Sequence, residues 1–439
     1  RLGGGGDGQG DSPPLYSSQV KNELPGRVEI IAVGSELLTP HFQDTNSLYL
    51  SARLNDLGWA VAFKTIVGDD QEDIRLRLRE ALRRTEIVMV MGGLGPTGDD
   101  VTVEAVARAL RKDLVLDKSV LGRIEDRFRR RHLPMPKANK KQAFIIRGAE
   151  VLPNENGTAP GQLIGVGRKR IFLLPGPAHE LKPMCEKSVW PELKKEACGH
   201  LVRAVLKAAG LTESMAEGLI SDLYPKRGDL GLTVLASPGQ VEIHLSAFSS
   251  VSPFQAERKL NRLKAQISGR LGENVFSESG ESLEQVVGKL LKEQKKTVAV
   301  AESCSGGLIS HRLTNVPGSS DYFLEGVVAY SNAAKVNLLN VSPRFIEKFG
   351  AVSRSVAEAM AVGIRRRAQA DLGLAVTGIA GPAGGTPQKP VGLVFTALAG
   401  ARGTEVQKNL FPGMREQVKL QSAQKALDMV RRHLLRTAP

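Results

Sequence analysis

From Arg27 onward the chain alternates short apolar runs of strand length with stretches of helical periodicity. "RVEIIAV", "AVAFKTIVG" and "TEIVMVMGG" have the β-branched, continuous apolar texture of strands buried on both faces. Between them stands "LYLSARLNDLG", whose Gly58 sits where a C-terminal cap belongs. "DDQEDIRLRLREALRR" follows, with Asp70 placed as an N-cap and Ile74, Leu78, Ala81 and Leu82 on one face. A further helix is predicted around "VTVEAVARALRK". Strand and helix alternating at this pace predict a mainly parallel sheet covered on both faces. "AFIIRGAEVL", "GQLIGVGRKRIFLLPG" and "HELKPMCEKSVWPELKK" complete this domain, residues 26–196.

The texture changes over residues 200–276. "LVRAVLKAAG", "GLTVLASPG" and "QVEIHLSAF" read as strands, "TESMAEGLISDLY" and the stretch from Gln255 as helices, so a small α+β module is predicted. "SESGES", Ser277 to Ser282, reads as a polar linker, and the amphipathic "LEQVVGKLLKEQ" opens a third domain, residues 281–439. The fold class expected is α/β and multidomain: two three-layer α/β domains with parallel-rich sheets, joined by the small α+β module. Residues 1–25, rich in Gly, Ser and Pro without apolar periodicity, are expected to form a disordered tail.

Composition adds little that changes this picture. The apolar fraction of 41% is that of a globular protein. No run approaches the length of about 18 apolar residues that a membrane span requires, so no membrane is expected as a partner. Three cysteines are too few for a disulfide framework, and no charged n-region precedes an apolar segment, so a cytoplasmic location is expected. The net charge of +14 is informative. It gathers in "RFRRRH" (Arg127 to His132), "KANKK" (Lys137 to Lys141) and "RRR" (Arg365 to Arg367). With 5% aromatics there is little on which to stack bases, so solvated helix faces account for these runs better than nucleic acid. Small phosphorylated substrates also suit a positive field.

"TVAVAESCSGGLISHRL", Thr297 to Leu313, carries the most chemistry. A strand stops at Glu302, then Ser303, Cys304 and Ser305 precede two glycines and a helical pattern. Such a turn exposes its residues and offers free amides, but a hydroxyl needs a base to act as nucleophile. His311 falls inside the new helix, pointing away. "EGVVAYSNAAKVNLL" reads as a strand ending near Tyr330 and a helix carrying Lys335. A parallel neighbouring strand delivers both to the same carboxyl edge of the sheet. A buried lysine of reduced basicity takes a serine proton. "AVTGIAGPAGG", Ala375 to Gly385, is a third loop at a strand end, whose glycines can present donors to a phosphate or an oxyanion. In the first domain "GGLGPTGDD", Gly92 to Asp100, is a glycine turn beside paired carboxylates, which suits phosphate and a hard cation but also fits acidic helix capping.

"AESCSGG", "AYSNAAK", "GAVS", "TGIAGPAGG", "KPVG" and "FPGMREQV" occur in the order found in the CinA C-terminal domain, the nicotinamide-nucleotide amidase family, which this region resembles. The resemblance implies Ser303 as nucleophile, Lys335 as its base and Tyr330 assisting, in hydrolysis of the carboxamide of nicotinamide mononucleotide to nicotinic acid mononucleotide and ammonia. Glu302, Ser305, Gly306, Gly307, Gly378, Gly381 and Arg415 are expected around the substrate, with Arg415 as phosphate clamp. Cys304 is expected in the core. "GSELL", "QDTNS", "NGTAPG" and "LLPGPAHEL" resemble the molybdopterin-binding-like domain of CinA proteins. That likeness implies a metal-dependent ADP-ribose pyrophosphatase, with a divalent metal ion near Asp99, Asp100, Glu36 and Asp44, and Gly93, Gly95, Thr97, Asn46 and Asn156 on the nucleotide. The middle module is similar to the KH-like insert of the same family, with "SPGQ" in place of a G-x-x-G clamp. The family also implies a homodimer and no cofactor for the amidase. Two other readings stay open: a nucleotide- or pterin-binding protein without turnover, and a protein associated with competence or DNA damage.

Overall fold

A computed structural model describes residues 26–196, 199–226 and 228–437. The predicted tail and Cys198 lie outside the described residues. The described residues form two compact units, one reaching to Leu201 and including Phe248–Ala256, the other made of the described residues of 202–247 and 257–437.

In the first unit a six-stranded sheet has the order Ala60–Val67, Arg27–Val33, Ile87–Met91, Lys169–Leu174, Gly161–Val166, Glu150–Leu152. The first four strands are parallel; the last two turn back antiparallel. Side-chain alternation sorts the core onto two faces. Ile30, Met89 and Phe172 pack with Trp59 and Trp190 on one side. Ile31, Val90 and Leu173 pack with Ile74 and Leu78 on the other. Asp70 caps the Gln71–Arg84 helix as predicted, its carboxylate accepting from the amides of Glu72 and Asp73. Nothing in the strand pattern marked Glu29, which is fully buried in the Arg27–Val33 strand, second in the sheet, and held by the Arg84 fork at 2.8 and 2.9 Å.

Two further sheets follow along the chain. The small α+β module orders its strands Leu230–Ser237, Gln240–Ser249, His200–Ala209, Val275–Ser277, with the Glu213–Ile220 and Pro253–Leu271 helices packed in its core. "SPGQ" is the turn of its hairpin, and Gln424 of the Arg415–Arg436 helix donates to the Gln240 side chain at 3.1 Å. "SESGES" is more ordered than a polar linker: the Ser277 hydroxyl accepts the amides of Ser279 and Glu281, and Ser282 with Gln285 forms a capping box.

The same C-terminal helix is wired into the module by a buried cluster. Asp428, 1% exposed, accepts from Arg431 and Arg432 at 2.7 Å, and Arg431 also donates to the Glu273 carbonyl at 2.7 Å. Asp428→Ala leaves Arg431 buried without its counter-ion. We expect a loss of about 3–5 kcal/mol, read as a lowered urea midpoint; an unchanged midpoint would show the cluster to be energetically idle.

The third domain's sheet runs Phe323–Val328, Val298–Glu302, Leu372–Gly378, Leu393–Gly400, Gly403–Leu410. Three strands are parallel and two antiparallel. The Leu283–Glu293, Leu308–Thr314 and Arg415–Arg436 helices cover one face and the Arg354–Ala368 helix the other. Among the described residues no helix is long and apolar enough to cross a membrane.

Candidate functional site

Parallel register places the ends of three strands side by side in the third domain, because Glu302 pairs with Val328 on one side and Val376 on the other. Ser303 follows, its own amide donating to the Val376 carbonyl at 3.0 Å. Beyond Val328 the chain enters the Asn332–Leu339 helix, whose first turn is capped by the Ser331 hydroxyl. That helix carries Lys335 inward, where it is 1% exposed. Its Nζ lies 3.1 Å from Ser303 Oγ, 2.8 Å from the Ala329 carbonyl and 3.2 Å from the Tyr330 carbonyl. Those partners are one hydroxyl and two carbonyls, with no carboxylate bonded to the amine. Burial therefore dominates and holds Lys335 below the ordinary lysine value.

A cavity of about 270 Å³ opens over this pair, lined by Tyr330, Asn332, Thr377, Gly378, Gly381 and Arg415 as well as Ser303 and Lys335. Gly378 has no space for a side chain: a Cβ there would meet the Leu393 carbonyl at 2.8 Å and Cys304 Sγ at 3.0 Å. Tyr330 is 60% exposed, and its hydroxyl accepts from Arg415 Nη2 at 2.9 Å instead of touching Ser303 or Lys335. The other arm of Arg415 donates to the Gly381 carbonyl at 2.8 Å, so this guanidinium ties the third loop to Tyr330 across the mouth. Asn332, inside "AYSNAAK", faces the cavity although its sequence position singled out only the lysine and the tyrosine.

Four expected lining residues stand elsewhere. Glu302 is fully buried and turned under the loop, where it accepts from the amides of Gly307 (3.0 Å), Ile309 (3.1 Å) and Ser310 (2.9 Å) and from the Ser310 hydroxyl (2.8 Å). It builds the turn instead of meeting a ligand, because the new helix's free amides take its charge first. Gly306 and Gly307 supply left-handed backbone, φ 65° and 91°, for the same turn, and the Gly306 amide is spent on the Ser303 carbonyl. Ser305 is buried with no hydrogen-bond partner for its hydroxyl. Cys304 is buried as expected, its thiol pushed up to about 12 chiefly by burial, though it also borders the cavity. His311 is exposed and bonds Asn315.

In the first unit a cavity of about 600 Å³ lies at the carboxyl ends of the parallel strands. Glu36, Asp44, Asn46, Gly93, Gly95, Asp99 and Asp100 line it together. Thr97 and Asn156 do not. Thr97 donates its amide and hydroxyl to Asp100, and Asn156 is consumed by loop bonds to Asn154 and to the His179 carbonyl. Both serve loop shape, which a motif cannot distinguish from ligand contact. Lys141 and Gln142 were missed. Lys141 donates to the carbonyls of Asp100 and Thr97, and Gln142 to that of Leu94, so both brace the glycine loop from a segment whose only sequence signal was its charge.

The expected metal ligands do not form a ready cage. Among the described residues no group of three or more His, Cys, Asp or Glu is close enough to hold a metal ion. Asp44 caps the Ser47 amide at 2.9 Å, and Asp100 is held by Thr97. One atom does await a partner: Asn46 donates to the Gly176 carbonyl at 2.6 Å, while its Oδ1 is buried without a donor. An all-oxygen rim of this kind fits a magnesium-type ion that completes its shell with water and ligand phosphate, not a structural metal.

Comparison with known proteins finds family models along the chain. Residues 280–434 match the CinA C-terminal domain, 29–195 the "Probable molybdopterin binding domain" and 203–277 the "Damage-inducible protein CinA KH domain". A CinA-like protein of Koribacter versatilis is 47% identical over 415 residues, 93% of this chain and 99% of that protein. Another, from Acidobacterium capsulatum, is 46% identical over 417 residues, again 93% and 99%. Among solved structures, competence/damage inducible protein CihA from Agrobacterium tumefaciens is 38% identical across 35% of this chain and 93% of its own, with a TM-score of 0.34. With similarity of this degree along nearly the whole length of its relatives, the chain belongs to the CinA family.

Proposed function

We propose that the third domain hydrolyses the carboxamide of nicotinamide mononucleotide through a Ser303–Lys335 pair. The observation that carries this reading is the 3.1 Å contact between Ser303 Oγ and a buried Lys335 Nζ. The neutral amine takes the Ser303 proton as Oγ attacks the carboxamide carbon. The resulting ammonium then protonates the departing nitrogen, releasing ammonia and leaving an ester on Ser303. Water, deprotonated by the same amine, attacks that ester and yields the carboxylate. Since the Gly306 and Gly307 amides are spent within the turn, the oxyanion donors in this scheme come from the Gly378 to Gly384 loop. Arg415 holds that loop and Tyr330 in place and, lining the cavity, is the cation assigned to the substrate phosphate.

Only the unprotonated amine serves as base, so the rate rises with pH as Lys335 loses its proton. Because burial lowers that pKa, the limb falls below the ordinary lysine value of 10.5. A rate profile over pH 6 to 10.5 checks this; a limb at the unperturbed lysine position would argue against a buried base. The direct test is ammonia release by the purified chain with nicotinamide mononucleotide as substrate.

The orphaned Oδ1 of Asn46 favours a second activity, metal-dependent cleavage of the ADP-ribose diphosphate in the first cavity. A bound divalent cation supplies charge neutralisation for the diphosphate and an acidified water. Asn46, Asp99, Asp100, Glu36 and Asp44 are the residues that would hold it with its ligand, and Lys141 keeps the loop under them. AMP release from ADP-ribose is expected to stop with EDTA and return with magnesium. Binding of ADP-ribose without any AMP release would instead favour a pure binding domain.

A further inference from the structure

The basic run "RFRRRH" spans the end of the Lys118–Arg130 helix and its C-cap Arg131, and its role is not exhausted by solvation. Arg123, Arg127, Arg130 and Arg131 all line one groove of about 520 Å³ in the first unit. Their spacing repeats every three to four residues, which keeps them on one helix face. The opposite wall is the Pro153–Pro160 segment, and Thr158 borders both this groove and the cavity beside the glycine loop.

Two carboxylates also line the groove, but both are engaged elsewhere. Asp126 pairs with Arg129 at 2.8 Å and Glu155 pairs with Lys187. Arg127 donates to the Glu155 carbonyl at 2.8 Å and so fixes the wall. No ion pair engages Arg123, Arg130 or Arg131 among the described residues. Like charges crowded along one wall repel, and a multivalent anion between them removes that cost while meeting planar guanidinium forks.

We infer that this groove is a binding site for the diphosphate group of a small molecule, separate from the carboxylate-rimmed cavity next to it. Its volume is that of a small-molecule site. Phe128, the one aromatic of the run, packs into the helix's own core and gives no stacking platform for a nucleic-acid strand. The inference requires no turnover in the neighbouring cavity.

The test titrates the full chain with inorganic pyrophosphate by calorimetry. Wild type is expected to bind, and Arg123→Gln with Arg130→Gln together to weaken binding by about tenfold or more. Both side chains are exposed, so the double variant should keep its thermal midpoint. The titration is run in EDTA, so that no divalent cation draws pyrophosphate into the adjoining cavity. No binding by wild type, or undiminished binding by the double variant, overturns the assignment. Binding that appears only when magnesium replaces EDTA places the anion in the first cavity and overturns it too. So does tighter binding of a single-stranded DNA 12-mer that also depends on these arginines, which would make the groove a nucleic-acid contact.

Discussion

Ser303→Ala is expected to reduce ammonia release from nicotinamide mononucleotide by about 10³-fold or more, with the fold intact. Among the described residues the Ser303 hydroxyl is the side-chain group hydrogen-bonded to the Lys335 amine, 3.1 Å away. Its removal costs the structure little, because the backbone bond from Ser303 to Val376 remains and alanine occupies less space. Lys335→Met, which fills the volume of the buried stem without an amine, is expected to fall as far. Combining the two should cost no more than either alone, since nucleophile and base act as one unit. Full activity in Ser303→Ala would reduce the elbow to a structural turn. Activity retained only in Lys335→Met would move the base elsewhere. A wild type that releases no ammonia would bring the binding-protein reading forward.

The second large effect concerns stability. Glu302→Ala removes a fully buried carboxylate that satisfies the amides of Gly307, Ile309 and Ser310 and the Ser310 hydroxyl. The Ile309 amide is buried and the Gly307 and Ser310 donors are part-buried, so charge-assisted bonds are lost with little compensation from water. The loss should be about 3–5 kcal/mol, allowing for desolvation that the native carboxylate already bears. Urea unfolding measures it directly. Ammonia release should fall as well, because the turn that aims Ser303 at Lys335 is no longer held. A loss below about 1 kcal/mol, with a raised KM as the only kinetic effect, would instead return Glu302 to the substrate side of the strand.

Much of the scaffold was legible because it depends on local periodicity. The alternation of strand and helix, the Asp70 cap and the placement of three loops at the carboxyl edge all follow from short-range pattern. The Ser303–Lys335 meeting was also foreseeable, since parallel strands with similar register bring their ends together. Neighbours within the motifs misled. Glu302, Ser305, Gly306 and Gly307 adjoin Ser303 in sequence, yet none of them lines its cavity. Thr97 and Asn156 likewise sit inside recognisable motifs while their bonds go to the loops themselves.

By itself the sequence determined where strands end, which residue types stand there and which family's motifs they follow, because spacing and side-chain chemistry are properties of the chain alone. Tertiary structure decided the rest. Whether a polar side chain faces a cavity or closes a turn depends on donors and acceptors brought from distant segments, as Lys141 reaches the loop of Asp100 and Arg415 reaches Tyr330. The lowered basicity of Lys335 likewise exists only after packing has taken it out of water.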